Sequence, residues 1–417
     1  MKKLLTWAFL ALCVILTAQE PVFLITAEQV FDGHEMHQGW AVTVQGNRIL
    51  AVGPVGELQR PGQTVIDGGQ ATVMPGMIEG HSHLLLHPYN ETSWNDQVLR
   101  ESMAERIARA TVHARKTVEA GFTTVRDLGT EGAGYADIGL KQAIEKKVIT
   151  GPRMVCAGPA MVATGSYGPK GFQDQVDVPQ GAVEVDGENL IREVRTEIGH
   201  GVDVIKVYAD YRWGRNGEAM PTFSEEELRT IVETAHSAGR YVVAHASTKE
   251  GMLRAIRAGV RTIEHGDDAD REVLQAMLDH QVALCPTLAA PEAILEYRGW
   301  KKGTDPTPER IDRKRAGFQL ALNMGVPIVA GGDVGVFSHG DNARELDLMV
   351  EYGMAPMDVL RSVTEGNAYW LDMPELGALR PEYLADIVLV QGNPAQDIHQ
   401  LHQIKGVMLD GQWILKP

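Results

Sequence analysis

An alternation of short apolar runs with amphipathic stretches constrains the fold of this chain more than any other feature. The amphipathic stretches include 101–120, 224–238, 248–258 and 308–324. Repeated strand–loop–helix units favour parallel strands, and eight of them fit an α/β (β/α)8 TIM barrel better than a doubly wound sheet. The eight strand-like runs are Met77–His83, Thr123–Leu128, Arg153–Ala157, Val202–Tyr208, Tyr241–Ala246, Arg261–His265, Val282–Thr287 and Pro327–Ala330.

Local signals mark where several of these helices begin and end. Ser224 with Glu227 has the spacing of a capping box, which predicts a helix start at that point. Glycines follow four of the amphipathic stretches, where a left-handed C-cap is expected. These glycines are Gly121, Gly239, Gly259 and Gly325.

The two ends of the mature chain are rich in short strands and tight turns. Gln45-Gly46-Asn47 and Asp410-Gly411 each separate two strand-like runs, as in β-hairpins. Neither end has enough strands to bury a core alone. We therefore expect residues 21–73 and 378–417 to form one composite β-sandwich domain, with the barrel of residues 74–377 inserted between them.

The first residues have the pattern of a secretory signal peptide. Met1-Lys2-Lys3 is basic, residues 4–16 are apolar, and a cleavage site near Ala18 completes the pattern over residues 1–18. The alternative is a membrane anchor, for which the apolar run is short. The expected location is secreted or periplasmic, with no stable membrane anchor after cleavage.

Charge and cysteine content narrow the functional classes. The net charge of −16 disfavours a nucleic-acid partner, because phosphate binding needs a basic face. Two cysteines remain in the mature chain, Cys156 and Cys285, and two cannot build a disulfide framework. Both lie in apolar runs, which predicts buried free thiols.

Polar side chains gather at the carboxyl ends of the predicted strands, where barrel enzymes carry their catalytic groups. On a strand, residues two apart point the same way, so His81 and His83 aim together and could start a metal site. Alone, the pair would more often be surface or core histidines. The further residues at strand ends are Lys206, His245, His265 and Asp333.

Lys206 lies within an apolar strand, where a lysine is costly unless paired. A buried ion pair with Asp203 or Asp333 is one interpretation, although Asp203 has the opposite strand parity and should face away. A desolvated lysine is also more easily neutral and nucleophilic. It can then react with carbon dioxide to form a carbamate that bridges two cations.

The set of residues resembles the binuclear type of the amidohydrolase superfamily. Residues 75–83, Pro-Gly-Met-Ile-Glu-Gly-His-Ser-His, are similar to its P-G-hydrophobic-I-D-x-H-x-H motif, with Glu79 where Asp is usual. Residues 384–388, Leu-Ala-Asp-Ile-Val, resemble its L-A-D strand. The resemblance implies two divalent metal ions, one held by His81, His83, Lys206 and Asp333 and the other by Lys206, His245 and His265. Zinc suits these nitrogen and oxygen ligands, and manganese, cobalt and iron are the alternatives.

The resemblance also implies catalytic roles. Carboxylated Lys206 and a hydroxide would bridge the metals, and Asp333 would act as general base and then as general acid. Local similarity around His245, His265 and Asp333 narrows the resemblance to the imidazolonepropionase-related branch, which includes Xaa-Pro and Xaa-Arg dipeptidases and N-acyl amino acid hydrolases. Lys206 argues against imidazolonepropionase activity itself, because those enzymes are mononuclear.

Dipeptides and N-acyl amino acids carry a carboxylate that needs a cationic or hydroxyl clamp. Each candidate for that clamp could equally be a solvated loop residue: Tyr208, Tyr211, Arg212, Arg215 and His339. Asp127 could bind a substrate amine or brace the barrel mouth through an ion pair. The remaining histidines on helices and loops are expected at the surface: His87, His113, His200, His236 and His280.

The predicted function is an exported, metal-dependent hydrolase of a peptide-like C–N bond in small-molecule or dipeptide substrates. Monomer and homo-oligomer are both compatible with the sequence. The same site could instead hydrolyse a lactone, cyclic imide or phosphotriester. A non-catalytic solute-binding barrel is the third hypothesis, although a binding protein needs no pair of Lewis acids. Two long loops, 158–187 and 288–306, would either shape the substrate pocket or be mobile surface segments without a role.

Overall fold

The computed structural model describes residues 21–173 and 175–417. The predicted signal peptide, residues 1–18, lies outside these residues. Within the described ranges, no helix has both the length and the apolar character needed to cross a membrane.

The described chain alternates strands and helices through its middle and has strands at both ends. The strands are β1 Val22–Thr26, β2 Gln29–Phe31, β3 Met36–Gln38, β4 Trp40–Gln45, β5 Arg48–Pro54, β6 Thr64–Asp67, β7 Ala71–Pro75, β8 Met77–Ser82, β9 Phe122–Asp127, β10 Arg153–Cys156, β11 Met161–Val162, β12 Val183–Glu184, β13 Val204–Tyr208, β14 Asp210–Tyr211, β15 Met220–Pro221, β16 Tyr241–Ala246, β17 Thr262–His265, β18 Ala283–Cys285, β19 Ile387–Gln391, β20 Ile404–Leu409 and β21 Gln412–Leu415. The helices are α1 Val55–Leu58, α2 Trp94–Arg100, α3 Met103–Glu119, α4 Ala136–Glu145, α5 Leu190–His200, α6 Glu225–His236, α7 Lys249–Ala258, α8 Arg271–His280, α9 Ala289–Tyr297, α10 Glu309–Met324, α11 Ala343–Glu351, α12 Pro356–Arg361 and α13 Asn367–Trp370.

The two ends of the chain meet in two sheets. One has the order β5-β4-β1-β6, and the other has the order β21-β20-β19-β7-β2-β3. Strand β19, near the carboxyl end, pairs antiparallel with β7, near the amino end. Apolar residues of both sheets, among them Val42, Val73 and Leu389, share one buried cluster. The division of the chain into a composite domain and an inserted domain stays a prediction.

Parallel strands fill the middle of the chain. One sheet has the order β10-β9-β8, and the other has the order β12-β11-β13-β16-β17-β18. Every pair within these two sheets is parallel, so their carboxyl ends lie at the same edge. His245 therefore pairs directly across from Tyr208 at the ends of β16 and β13.

Hydrogen bonds link the two parallel sheets on both sides. The Asp203 N–H donates to Cys156 O across 2.8 Å beside β10. On the other side, the segment 327–334 bonds to β18 through Val329 N and Leu284 O and to β8 through Gly80 N and Ala330 O, both at 2.9 Å. The predicted eighth strand, 327–330, makes only isolated bridges. The α/β class is confirmed, whereas a closed eight-stranded barrel stays a prediction.

Several local predictions are confirmed. The capping box at Ser224 is present, with both of its reciprocal hydrogen bonds. The glycines predicted at helix ends all have positive φ, from 69° at Gly239 to 98° at Gly259. Cys156 and Cys285 are buried free thiols.

Three expectations are wrong. The stretch 288–306 is no plain loop, because α9 occupies residues 289–297. His87 and His113 are buried rather than superficial, since His87 Nε2 lies 2.8 Å from Glu101 and His113 Nδ1 lies 2.9 Å from Leu84 O. The other three helix or loop histidines are exposed as expected: His200, His236 and His280.

Candidate active site

Three of the predicted ligands converge where β8 meets the segment after α10. His83 Nε2 lies 3.2 Å from Asp333 Oδ1, and His81 Nε2 lies 3.7 Å from the same oxygen. One ligand atom from each residue lies within 4.8 Å of the others. Two imidazoles and a carboxylate at this spacing match the ligand types of a zinc-class cation.

The opposite ring nitrogens of these histidines are held from behind. His81 Nδ1 lies 2.9 Å from Glu264 Oε2, and His83 Nδ1 lies 2.8 Å from Gly129 O. His265 Nδ1 contacts the Thr287 hydroxyl at 2.8 Å. Partners of this kind fix the ring and leave the Nε2 lone pair for a cation, a recurrent arrangement around metal-binding histidines.

The remaining predicted ligands lie beside this group. The ring of His265 is centred 5.2 Å from that of His81 and 4.4 Å from that of His245. Lys206 is buried on β13, and its Nζ lies 5.6 Å from the centre of the Tyr208 ring. Asp203 faces the other way and pairs with Lys141 at 2.7 Å, as strand parity predicts. The structure thus brings all six predicted ligand residues to one place.

The protonation states of His81, His245 and Lys206 suit metal binding, whereas that of His83 does not. Burial alone would lower the pKa of His83, but Asp333 outweighs it and raises that pKa to about 9. Burial and the neighbouring Lys206 lower the pKa of His81 to about 4 and that of His245 to about 3. Burial also lowers the pKa of Lys206 itself, which favours the neutral amine. Burial alone would raise the pKa of Asp333, but His81 and His83 outweigh it and lower that pKa to about 2.

Two of these residues have backbone conformations that non-glycine residues rarely adopt. The φ angle is 76° at His265 and 63° at Asp333. Successive residues of a regular strand face opposite sides, but the left-handed turn at His265 ends that alternation. As a result Glu264 and His265 both reach His81. Backbone strain of this kind persists where the surroundings enforce it, often at functional sites.

Glu79 braces the same region. Its carboxylate accepts hydrogen bonds from His81 N at 3.1 Å, Gly332 N at 2.9 Å and Asn342 Nδ2 at 3.0 Å. It therefore ties the end of β8 to the segment that carries Asp333. Burial raises the pKa of Glu79 to about 7 despite these three donors.

A cavity of about 430 Å³ is lined by all of the predicted ligands except Lys206. Its size is within the range of small-molecule sites. Tyr208, Tyr211 and Arg212 line it, as predicted for substrate-binding residues. Other charged and apolar groups that line it include Tyr89, Glu131, Tyr167, Asp267, Ile294, Arg310, Lys314 and Val336.

The cationic side chains of the cavity differ in their partners. Lys314 and Arg310 both pair with Asp267, at 2.5 and 3.0 Å. Arg212 forms no ion pair with any residue that the structure describes. An unpaired guanidinium at the cavity wall is suited to a substrate carboxylate, because its planar fork matches that anion.

Glu131, which also lines the cavity, lies among aromatic rings. Glu131 Oε2 accepts hydrogen bonds from Trp94 Nε1 at 2.9 Å and from the Tyr167 hydroxyl at 2.6 Å. The Tyr208 hydroxyl lies 3.4 Å from Glu131 Oε1. Asp127 was predicted to bind a substrate amine or to form a bracing ion pair. It does not line the cavity, and its carboxylate instead accepts a hydrogen bond from Leu84 N at 2.7 Å.

Two other candidates lie away from the cavity. His339 does not line it; its ring stacks on His113 with centres 4.3 Å apart, and its Nε2 lies 3.0 Å from Leu86 O. Arg215 is exposed and does not line the cavity either. Both residues were predicted to bind substrate because they follow predicted strands whose ends carry ligands, but neither side chain reaches the cavity.

Sequence reasoning missed Glu264 and Glu131. Strand alternation sends Glu264 away from His265, so the pattern hides it until the left-handed backbone is known. A signal was present nonetheless, since a glutamate inside the apolar run Thr262-Ile263-Glu264 requires a buried partner. That partner is Arg126, whose Nη2 lies 3.0 Å from Glu264 Oε1. For Glu131 the sequence offers no comparable signal.

Comparison with known proteins assigns most of the chain to one family. The sequence model of the amidohydrolase family matches residues 72–414. Ochratoxinase of Aspergillus niger is 29% identical over 366 residues, covering 80% of this chain and 73% of that protein.

Solved structures are similar over nearly the whole chain. A Xaa-Pro dipeptidase with bound methionine in the active site has a TM-score of 0.84 and 30% identity, covering 94% of this chain and 100% of that one. A prolidase complexed with N-methylphosphonate-L-proline has a TM-score of 0.80 and 28% identity, covering 95% of this chain and 100% of that one.

Proposed function

Because the chain belongs to the amidohydrolase family and is thereby a hydrolase of C–N bonds, we propose that it cleaves dipeptides or N-acyl amino acids. The observation that carries this proposal is the convergence of His81, His83 and Asp333 at the floor of a cavity with an unpaired Arg212. The names of the dipeptidase and prolidase relatives support the same substrate class.

The donor set fits two divalent cations. His81, His83 and Asp333 would hold one ion, and His245 and His265 would hold the other, with Lys206 between them. Zinc suits these nitrogen and oxygen ligands. When bound, such ions acidify a water molecule and polarise the scissile carbonyl.

The chain's own groups then have defined tasks. Asp333, ionised because its pKa is about 2, accepts the proton of the attacking water on its carboxylate and returns it to the leaving nitrogen. Arg212 holds the substrate carboxylate. Glu131, with Tyr167 and Tyr208, would accept an ammonium group of the substrate.

Lys206 would supply the anion that joins the two ions. Its neutral Nζ attacks carbon dioxide, an N–C bond forms and a proton leaves to solvent, which yields a carbamate. The support for this step is that Lys206 is buried beside three histidines and forms no hydrogen bond or ion pair with a described residue.

The finer architecture and location belong to the same proposal. The parallel strands would form a (β/α)8 barrel of residues 74–377, inserted into a composite β domain of residues 21–73 and 378–417. The leader, residues 1–18, would direct the enzyme to the periplasm or the medium. The hydrogen bonds on both sides of the parallel sheets support the barrel.

A substrate screen tests the proposal. Dipeptides and N-acyl amino acids are offered to the mature chain with zinc and bicarbonate, and release of amine is measured. We expect turnover that a chelator removes and that His245→Asn and Lys206→Ala abolish, while circular dichroism shows an intact fold. Lactone, imide or phosphotriester turnover without any amide cleavage would contradict the proposal, as would full activity of Lys206→Ala.

A further inference from the structure

A second group of metal-ligating side chains lies on the surface between two parts of the fold. Asp347 projects from α11, and His399 and His402 come from the 3-10 turn Ile398–His402 between β19 and β20. None of the three lines the active-site cavity. The group therefore joins a helix of the parallel-strand region to the sheet formed by the two chain ends.

The ligand atoms are already close together. His399 Nδ1 lies 3.0 Å from Asp347 Oδ1, and His402 Nε2 lies 2.7 Å from Asp347 Oδ2. One ligand atom from each residue lies within 4.8 Å of the others. Residues three apart lie on the same side of a 3-10 turn, which explains why both imidazoles reach one carboxylate.

These distances suit a shared cation. Zinc binds histidine nitrogen and carboxylate oxygen at about 2.0–2.2 Å, so two ligands at the tetrahedral angle around it lie about 3.4 Å apart. The observed separations are 3.0 and 2.7 Å, so each imidazole would move away from the carboxylate by about 0.4–0.7 Å to admit the ion. Only small side-chain adjustments would bring all three residues around one ion.

Simple histidine–carboxylate pairing accounts less well for the same atoms. Asp347 Oδ1 is buried and accepts no hydrogen bond in the described part of the chain, although His399 Nδ1 lies 3.0 Å away. The contact has the distance of a hydrogen bond without its direction. His399 is also 71% exposed, and exposed ion pairs contribute little to stability.

We propose that Asp347, His399 and His402 form a surface site for a divalent transition-metal cation of the zinc class, separate from the active site. Two imidazoles with one carboxylate select zinc, nickel or copper over magnesium and calcium, which prefer oxygen ligands. The bound ion would connect α11 to the 3-10 turn after β19. Open positions around it would be taken by water.

The test uses the untagged mature chain and zinc as the probe. His399→Gln/His402→Gln is compared with wild type and with His236→Gln/His280→Gln, a control that removes two other exposed histidines. Bound zinc per chain is measured after equilibrium dialysis, and thermal unfolding is followed with and without zinc. We expect the first variant to bind one zinc ion fewer than both others, with a smaller zinc-induced rise in Tm and an unchanged kcat.

Equal zinc content and equal Tm shifts in all three proteins would overturn the proposal. The readout does not depend on the proposed function, because the difference of one ion is expected whatever the active site binds. Asp347→Asn provides a second variant with nearly the same shape, and we expect it to lose the same ion.

Discussion

The two halves of the candidate metal centre are built differently. In the half formed by His81, His83 and Asp333, the chain supplies both imidazoles and a carboxylate, with an oxygen 3.2 Å from His83 Nε2. In the half formed by His245 and His265, the carboxylate nearest to His245 Nε2 in the described ranges is Asp210, at 3.9 Å.

Asp210 is also committed elsewhere. Its carboxylate accepts hydrogen bonds from Ser247 N and Thr248 N at 2.7–3.0 Å. The second half therefore has two neutral imidazoles and an amine, and no free anion. A divalent cation needs anionic ligands in a buried site, because desolvated charge must be compensated. Under the proposed function, the second half would depend on carboxylation of Lys206, whereas the first, complete half has its own carboxylate in Asp333.

The largest expected effect comes from removing that chemistry. Lys206→Ala should lower kcat/KM by about three orders of magnitude or more, since a Lewis acid contributes several kcal/mol to the transition state. Bound zinc should fall by one ion per chain relative to wild type, because the first half keeps its histidines and Asp333. Zinc analysis and amide-cleavage kinetics measure both, with exposed Lys301→Ala as control. A zinc content equal to that of wild type would refute the difference between the halves.

Asp333 tests whether the complete half also carries the proton transfer. Asp333→Asn should lower kcat by about 10²–10³-fold at saturating zinc, because the amide cannot accept the proton of water. The side chain keeps its shape, so the fold should persist. If kcat recovers fully when zinc is raised, Asp333 serves only as a ligand and the role of general base is wrong.

The sequence predicted the ligands of the complete half but not all of the residues that surround them. Alternation along β8 aligns His81 with His83, and parity on β13 separates Lys206 from Asp203; both predictions depend only on regular strand geometry. The same rule fails at Glu264, because the left-handed φ of 76° at His265 ends the alternation. Tertiary packing enforces that conformation, and no local pattern encodes it.

Helix α9 shows a second limit. The stretch 288–306 was predicted as a loop, yet Pro291 lies in the first turn of α9, where proline is tolerated because its missing N–H has no partner to lose. The eighth strand shows a third limit, because the predicted run 327–330 forms one isolated bridge, Leu284 with Ile328, and the next bridge, Ser82 with Val334, lies beyond it. His339 was misplaced for a similar reason, since loop sequence does not determine which way a side chain turns.

Smaller effects are expected from the residues that orient the imidazoles, and these residues should differ in how much zinc affinity they contribute. Glu264→Gln should weaken zinc binding by about 10–100-fold, the usual cost of losing a carboxylate behind a metal-binding histidine. Thr287→Val, which removes the neutral hydroxyl behind His265, should weaken it less. Competition with a chromophoric chelator measures both affinities. Because Arg126 loses its charged partner, Glu264→Gln should also be less stable. A larger loss of zinc affinity in Thr287→Val than in Glu264→Gln would mean that the second half of the centre binds its ion more tightly than the first.

The smallest effect is expected at Glu79, which holds the complete half in place. Glu79→Asp restores the residue usual in the family but withdraws the carboxylate from Gly332 N and Asn342 Nδ2, which lie 2.9 and 3.0 Å away. At about pH 8.5, above its pKa of about 7, the Glu79 carboxyl is ionised, and hydrogen bonds to charged groups contribute about 1.5–3 kcal/mol each. Loss of at least one of these two bonds should therefore lower the free energy of unfolding at that pH by about that amount. Activity should fall less than tenfold, since no ligand is removed. Urea unfolding and kcat provide the measurements, and Glu79→Gln keeps the length while removing the charge. If the urea midpoint of Glu79→Asp equals that of wild type while the midpoint of Glu79→Gln is lower, the stabilisation depends on the charge of residue 79 and not on the length of its side chain.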